Sequence, residues 1–121
     1  MADMDTPAPV PFERFQLIDA VELSRRMRRS PNQLAESTNR NRLFFVERAG
    51  ARLFPDFFAD CRYKRRHLYE VCERLGALPG GSKLQFFINP RGSLGGRTPL
   101  DALHDGQLAS VLRVAQGFLE R

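Results

Sequence analysis

The amino-acid sequence predicts a mainly α protein: a helix-turn-helix with a small β-hairpin wing, followed by a small helical domain. Three observations predict it. Helix starts with a capping side chain recur at Asp19, Ser30, Ser82 and Thr98. Apolar residues repeat at helical spacing from Lys64 to Leu75 and from Gln107 to Leu119. A single stretch, Leu43 to Phe54, is rich in strand formers, and a turn-like Glu47-Arg48-Ala49-Gly50 divides it. The expected organisation is a flexible arm over residues 1–16, the helix-turn-helix and wing over 17–60, and the helical domain over 61–121.

A chain of 121 residues makes one domain or two small lobes on a shared core. Its composition is globular, 42% hydrophobic and 27% charged, and ten Phe offer large apolar surfaces for burial. No apolar run reaches the roughly 18 residues that a bilayer crossing needs. The start, MADMDTPAPVPFERF, is acidic and proline-rich rather than basic then apolar, unlike a secretory signal. The expected location is the cytoplasm, with no membrane partner.

Net charge is +5, unevenly spread. Residues 1–24 hold one Arg against five acids, and residues 25–52 hold eight Arg against two acids. Residues 61–74 add five basic side chains against two acidic ones. A basic middle behind an acidic lead-in suggests a surface that faces phosphates; a solvated arginine-rich face is the plain alternative.

Cys61 and Cys72 do not make a disulfide framework. On a helix they would stand ~16 Å apart along the axis, whereas a disulfide needs Cα atoms within about 7 Å. With His67 between them the spacing is C-x5-H-x4-C, which is no zinc pattern. Cys72 sits on an apolar stripe and reads as a core residue.

At the start of the fold, Phe12, Phe15, Leu17 and Ile18 are expected to pack against the rest. Asp19 caps a helix in which Glu22 completes a capping-box spacing. That helix carries Ala20, Leu23 and Met27 on one face and runs into Arg28-Arg29. Ser30-Pro31-Asn32-Gln33 is the strongest helix start: serine caps, proline takes the first turn, and Gln33 reaches back. The helix to about Arg40 has only Leu34 and Ala35 as apolar residues, where a core helix shows a wider stripe. A tucked-in Leu34 with amide and guanidinium groups outside suits a helix that reads base edges; an ordinary surface helix is the alternative. Two helices joined by about three residues have helix-turn-helix spacing, and the hairpin that follows is a wing. Arg48 near its tip and Arg52 on its return strand are placed to grip phosphates. The candidate DNA-binding residues are Arg28, Arg29, Asn32, Gln33, Ser37, Arg40, Arg42 and Arg48.

Pro55 ends the second strand, and residues 56–63 form a linker anchored by Phe57, Phe58 and Tyr63. Gly76 stops the helix that begins at Lys64. Leu78-Pro79-Gly80-Gly81 reads as a hinge-like turn before a helix capped by Ser82, which presents Leu84, Phe87 and Ile88 and ends at Asn89-Pro90. A glycine loop from Arg91 to Arg97 leads into Thr98-Pro99-Leu100-Asp101, which repeats the cap and proline of Ser30-Pro31. Asp105-Gly106 turns the chain into a last helix with Leu108, Val111, Leu112, Ala115, Phe118 and Leu119 on its apolar face.

Gly92 to Thr98 faintly echoes a phosphate loop. Its glycine spacing is one residue short, Arg97 stands where the lysine belongs, and a helix rather than a strand precedes it. Gly95 and Gly96 are read instead as positions of positive φ and close backbone approach. Neither His67, His104 nor Cys61 has the neighbours that would assemble a base, a nucleophile and an oxyanion donor. No enzymatic activity, cofactor or metal is expected.

Residues 84–119 resemble the toxin-binding domain of the Xre/MbcA/ParS antitoxin family. The likeness rests on Phe86, Pro90, Leu94-Gly95-Gly96-Arg97-Thr98-Pro99-Leu100, Leu103, Gly106, Val111 and Leu112. These match an aromatic helix end, a proline, L-G-G-x-x-P-L, and a glycine before an apolar helix. Phe86 stands where the family usually has tryptophan, and Arg91 where asparagine commonly follows the first proline. The N-terminal half is similar to a small winged helix-turn-helix of the excisionase type.

The resemblance implies an antitoxin of a type II toxin–antitoxin pair. Its C-terminal domain would neutralise a cognate toxin, often a RES-domain enzyme that consumes NAD. The N-terminal half would bind operator double-stranded DNA and repress the operon, as a homo-oligomer that supplies two half-sites. The implied partner contacts are Phe86, Pro90, Arg91, Leu94, Gly95, Gly96, Arg97 and Pro99. A stand-alone helix-turn-helix transcriptional regulator, or an interaction adaptor with no toxin partner, is the alternative.

Overall fold

The computed structural model describes residues 15–120; Phe12 and most of the expected N-terminal arm lie outside them. Among the described residues the protein is mainly helical, with a small three-stranded antiparallel sheet. In chain order the elements are β1 (Leu17–Ile18), α1 (Ala20–Met27), α2 (Pro31–Asn39), β2 (Val46–Arg48), β3 (Ala51–Pro55), α3 (Arg65–Leu75), α4 (Gly80–Ile88), α5 (Pro99–His104) and α6 (Leu108–Leu119). Short 3-10 turns cover Asp56–Ala59 and Gly92–Leu94. No helix among these residues is long and apolar enough to cross a membrane.

The helix starts follow the capping chemistry closely. Ser30 forms the full capping box: its hydroxyl accepts the Gln33 N–H at 3.1 Å, and the Gln33 side-chain oxygen accepts the Ser30 N–H at 2.8 Å. Thr98 accepts the Asp101 N–H at 3.0 Å, with Pro99 in the first turn of α5. Asp19 accepts the Glu22 N–H at 2.8 Å, but only half of that box forms. The Glu22 carboxylate turns instead to Arg25 and Arg26, which hold its pKa down at about 2. Gly76 ends α3 at φ 66° as expected. Ser82 is not a cap: α4 already begins at Gly80, and Ser82 lies inside it.

The hairpin is shifted from its expected register. Its turn is the two-residue Ala49-Gly50, at φ 52° and 81°, so Glu47 and Arg48 belong to the strand. Both central residues at positive φ give the tight connection that matches strand twist. The pairs are Val46↔Leu53, Glu47↔Arg52 and Arg48↔Ala51. Leu43 and Phe44 do not pair in the sheet; both are buried in the core. β1 joins β3 on its other edge, Leu17↔Pro55 and Ile18↔Phe54, so Pro55 ends the strand as its last, paired residue. Pairing runs on past it: the Asp56 N–H donates to the Gln16 carbonyl at 2.8 Å, and the Asp56 carboxylate accepts the Gln16 N–H at 2.9 Å.

One buried cluster takes residues from both 17–60 and 61–121. Phe44 stacks on Phe87 with centroids 6.0 Å apart and meets Phe58 edge-on at 5.4 Å; Phe57 lies 5.4 Å from Phe87. Burying each such ring contributes roughly 1.5–3 kcal/mol. Leu68, Val71, Cys72 and Leu75 of α3 and Val111 and Ala115 of α6 extend the cluster. Burial in these apolar surroundings pushes the Cys72 thiol pKa far up, as befits a core residue. Lys83 on α4 is 3% exposed, and its side chain makes no hydrogen bond or ion pair among the described residues; burial lowers its pKa.

α4 reaches this position through Gly80. A Cβ there would stand 1.8 Å from the Phe45 carbonyl oxygen, so only glycine lets the helix start against the chain entering the hairpin. The segment read as a hinge is therefore a packed helix start.

Candidate functional site

Two surfaces carry the residues singled out in the sequence. On the first, α2 buries Leu34 and exposes Asn32, Gln33, Ala35, Glu36, Asn39 and Arg40. Gln33, Ser37 and Arg40 are spaced to share one face. Ser37 is half-buried, and its carbonyl accepts the Arg42 N–H at 2.8 Å. The Gln33 side-chain oxygen is committed to the cap, which leaves its amide group outward. Arg40 pairs loosely with Glu36 at 3.1 Å, both exposed.

Arg28 ends α1 at φ 58°, in the left-handed conformation that usually belongs to glycine. The Arg29 N–H reaches back to the Ser24 carbonyl at 3.1 Å and the Arg28 N–H to Arg25 at 3.3 Å, which closes α1 in a Schellman turn leading straight to the Ser30 cap. A side chain is thus held where the backbone costs about 1–2 kcal/mol.

The remaining members of the set are dispersed. Arg42 forms an ion pair at 2.7 Å with Glu73 of α3, which ties the two halves together. Arg48 is exposed at the hairpin end and borders a groove with Phe45, Gly80, Leu84 and Ile88. Arg52 lies over the Phe45 ring, 4.7 Å from its centroid. Arg29 is drawn to a cleft of about 440 Å³ that Arg65 and Arg66 of α3 also line. Those two arginines were absent from the sequence-predicted set; the basic surplus of residues 61–74 was the available signal.

The second surface is the glycine loop. Arg91 N–H donates to the Arg97 carbonyl at 3.0 Å, and Gly96 N–H donates to the Arg91 carbonyl at 2.9 Å, so the loop closes on itself. Gly95 and Gly96 sit at φ 68° and 81°, as expected. The expected close backbone approach is absent: a Cβ on either would meet nothing within 4 Å. Pro90, Gly95 and Gly96 are exposed.

Arg97 donates to the Asp101 carbonyl at 3.0 Å and pairs with Asp105, whose carboxyl it holds below the usual range. It therefore braces the loop against α5. Arg91 spreads over two rings, 5.0 Å from the Phe86 centroid and 4.9 Å from Phe118. Phe86 is 0% exposed, and Leu94 and Pro99 are buried too. These three shape the loop from beneath, leaving Pro90, Arg91, Gly95, Gly96 and Arg97 to form its outer face. Beside it, Ser93 of the loop and Ser110, Arg113, Val114 and Phe118 of α6 line a cleft of about 390 Å³.

No group of three His, Cys, Asp or Glu among the described residues is arranged to hold a metal ion. His104 is exposed, with its Nδ1 3.4 Å from an Asp105 oxygen.

The fold is similar to that of an NMR structure of Rv2175c, with a TM-score of 0.69 over 86% of this chain and 81% of that one. The two are 21% identical, a level at which the likeness concerns the fold alone. No protein-family model and no curated protein sequence matches the chain.

Proposed function

We propose that this protein is the antitoxin of a type II toxin–antitoxin pair, a cytoplasmic homo-oligomer that binds operator DNA and neutralises a protein toxin. On this reading α1, the turn at Arg28 and α2 are a helix-turn-helix, and β2–β3 is its wing. The observation that carries the DNA half is the outer face of α2. It is polar along its length, anchored by Leu34 alone, and introduced by an arginine held in a left-handed turn. Such a helix has little core to build, and its amides and guanidinium are suited to base edges and phosphates.

The toxin half rests on the resemblance of residues 84–119 to the Xre/MbcA/ParS toxin-binding domain. The self-closed, braced loop around Gly95-Gly96 supports it, since a rigid exposed loop can dock a partner at little entropic cost. The reading assigns no reaction and no cofactor to the chain. A stand-alone transcriptional regulator is the second reading. It is favoured by the burial of Phe86, Leu94 and Pro99, which makes part of the motif serve the loop's own shape.

Two experiments test the proposal. Co-expression with the product of the neighbouring gene should rescue growth if that product is a toxin; a harmless neighbour that this chain does not bind leaves only the regulator reading. Gel retardation should show Arg40→Ala and Arg48→Ala weakening DNA binding and each flattening its salt dependence by about 0.9 in log–log slope. A wild-type chain that retards no operator fragment refutes the DNA half.

A further inference from the structure

Arg29, Arg65 and Arg66 line one cleft, walled by Phe58, Tyr63 and Tyr69. Most arginines near a carboxylate have found it: Arg25, Arg26, Arg40, Arg42, Arg62 and Arg97 each pair within 4 Å. The three in the cleft have no carboxylate partner among the described residues. Asp60 is the one acid lining it, and Arg62 holds that carboxylate at 2.7 Å, with its pKa lowered by the contact. It cannot serve the others as well.

A donor is also left over. The Arg65 Nε is buried and has no hydrogen-bond acceptor. Buried donors in folded proteins are ordinarily paired, and an orphan of this kind marks a place where an ion or water belongs. α3 begins at the same spot, with no side-chain cap and no acid in its first turn, so its positive end is uncompensated. Three guanidinium groups and a bare helix start around one concavity call for a compact, multiply charged acceptor. A tetrahedral oxyanion offers more acceptor atoms than a carboxylate and suits the forked geometry of arginine.

We propose that this cleft binds a phosphate group, carried either by the backbone of DNA or by a small phosphorylated molecule. The site does not depend on the antitoxin reading. The test titrates the isotope-labelled full-length chain with inorganic phosphate at constant ionic strength, with chloride as control, and follows its NMR spectrum. The expected result is saturable shifts at the Arg65 and Arg66 amides and the Arg65 Nε–H with phosphate only. Arg29→Gln and Arg66→Gln alter exposed side chains outside the core, so unchanged melting curves should accompany a loss of phosphate affinity of about tenfold or more in each. Shifts that are absent, that never saturate, or that keep wild-type affinity in both variants overturn the site.

A second arm identifies the source. The phosphate-saturated protein is titrated with a short random-sequence duplex. Displacement of phosphate from Arg65 and Arg66 assigns the group to the DNA backbone. Independent binding, or no binding of the duplex, assigns it to a free phosphorylated molecule. In the last case the DNA reading falls while the phosphate site stands, so the two failures are distinguishable.

Discussion

Replacing Gly80 by alanine adds one methyl group at the point where α4 meets the hairpin. The new Cβ would lie 1.8 Å from the Phe45 carbonyl oxygen and 2.9 Å from its carbonyl carbon. Carbon–oxygen contacts are comfortable from about 3.3 Å, so the two segments must part by roughly 1.5 Å. Neither can move alone. Phe44, one residue before, is stacked on Phe87 of the same helix, and Phe45 itself packs edge-on against Phe54 of β3 at 5.9 Å. Overpacking of this kind costs about 1–3 kcal/mol, and more where backbone is the obstacle. Alanine's better helix propensity returns at most about 1 kcal/mol. The net expectation is a loss of about 2 kcal/mol or more, which lowers the melting temperature by roughly 10 °C or more in a domain of this size.

Gly81 is the internal control. It follows Gly80 in the same helical turn, and a Cβ there meets nothing within 4 Å. Gly81→Ala therefore keeps the propensity gain without the clash and should raise stability by up to about 1 kcal/mol. Thermal and urea unfolding of the wild type and both variants measures the difference. Equal stability of Gly80→Ala and Gly81→Ala would refute the close seating of α4 on the hairpin, and with it the account of how the hairpin is held.

Three further outcomes are expected. Lys83→Met replaces a side chain whose stem is buried and whose ammonium has no ion-pair partner among the described residues, and should stabilise the protein by up to about 1 kcal/mol in urea unfolding at neutral pH. Because the folded-state pKa of Lys83 lies below its ordinary 10.5, wild-type stability should rise with pH from that lowered value up to 10.5, and the variant should lack that component. Arg28→Gly relieves a left-handed φ and should gain about 0.5–1 kcal/mol of stability while losing DNA affinity, the two being read by melting and gel retardation. Gly96→Val places a β-branched residue at φ 81° and should cost about 1–3 kcal/mol locally. It should also abolish partner pull-down while leaving the N-terminal half folded, and an undiminished pull-down would remove the loop from the docking surface.

Much of the helical plan was legible because its signals are local. Ser30, Pro31 and Gln33 specify a helix start within four residues, and the structure contains every hydrogen bond that this chemistry calls for. Thr98-Pro99 and Gly76 are read in the same way, from side-chain acceptors and backbone freedom that need no distant partner. The hairpin was legible as a hairpin but not in register. Ala49 occupies positive φ without being a residue type that advertises it, so the wider Glu47-to-Gly50 window drew the turn two residues too broad. β1 was invisible as a strand, since two residues show no alternation and their partner on β3 lies 36 to 38 positions away.

The candidate sites divide along the same line. Asn32, Gln33 and Arg40 could be placed on an outer face because helical spacing and a lone Leu34 decide it. Phe86 could not be placed, because a residue that matches a motif position may serve that motif by exposure or by burial. The core around Phe87 and Phe118 decides for burial. The arginine cleft was least legible of all. A charge count over residues 25–52 and 61–74 finds the cations but treats every arginine alike. What sets Arg29, Arg65 and Arg66 apart is that they line one cleft while nearby carboxylates are taken: Glu22 goes to Arg25 and Arg26, Asp60 to Arg62, and Glu73 to Arg42. Those pairings are settled by geometry, and they leave three arginines without a carboxylate partner among the described residues together in one cleft, where α3 begins beside the end of α1. Local charge density therefore points to a basic protein, whereas the distribution of its counter-charges points to a site.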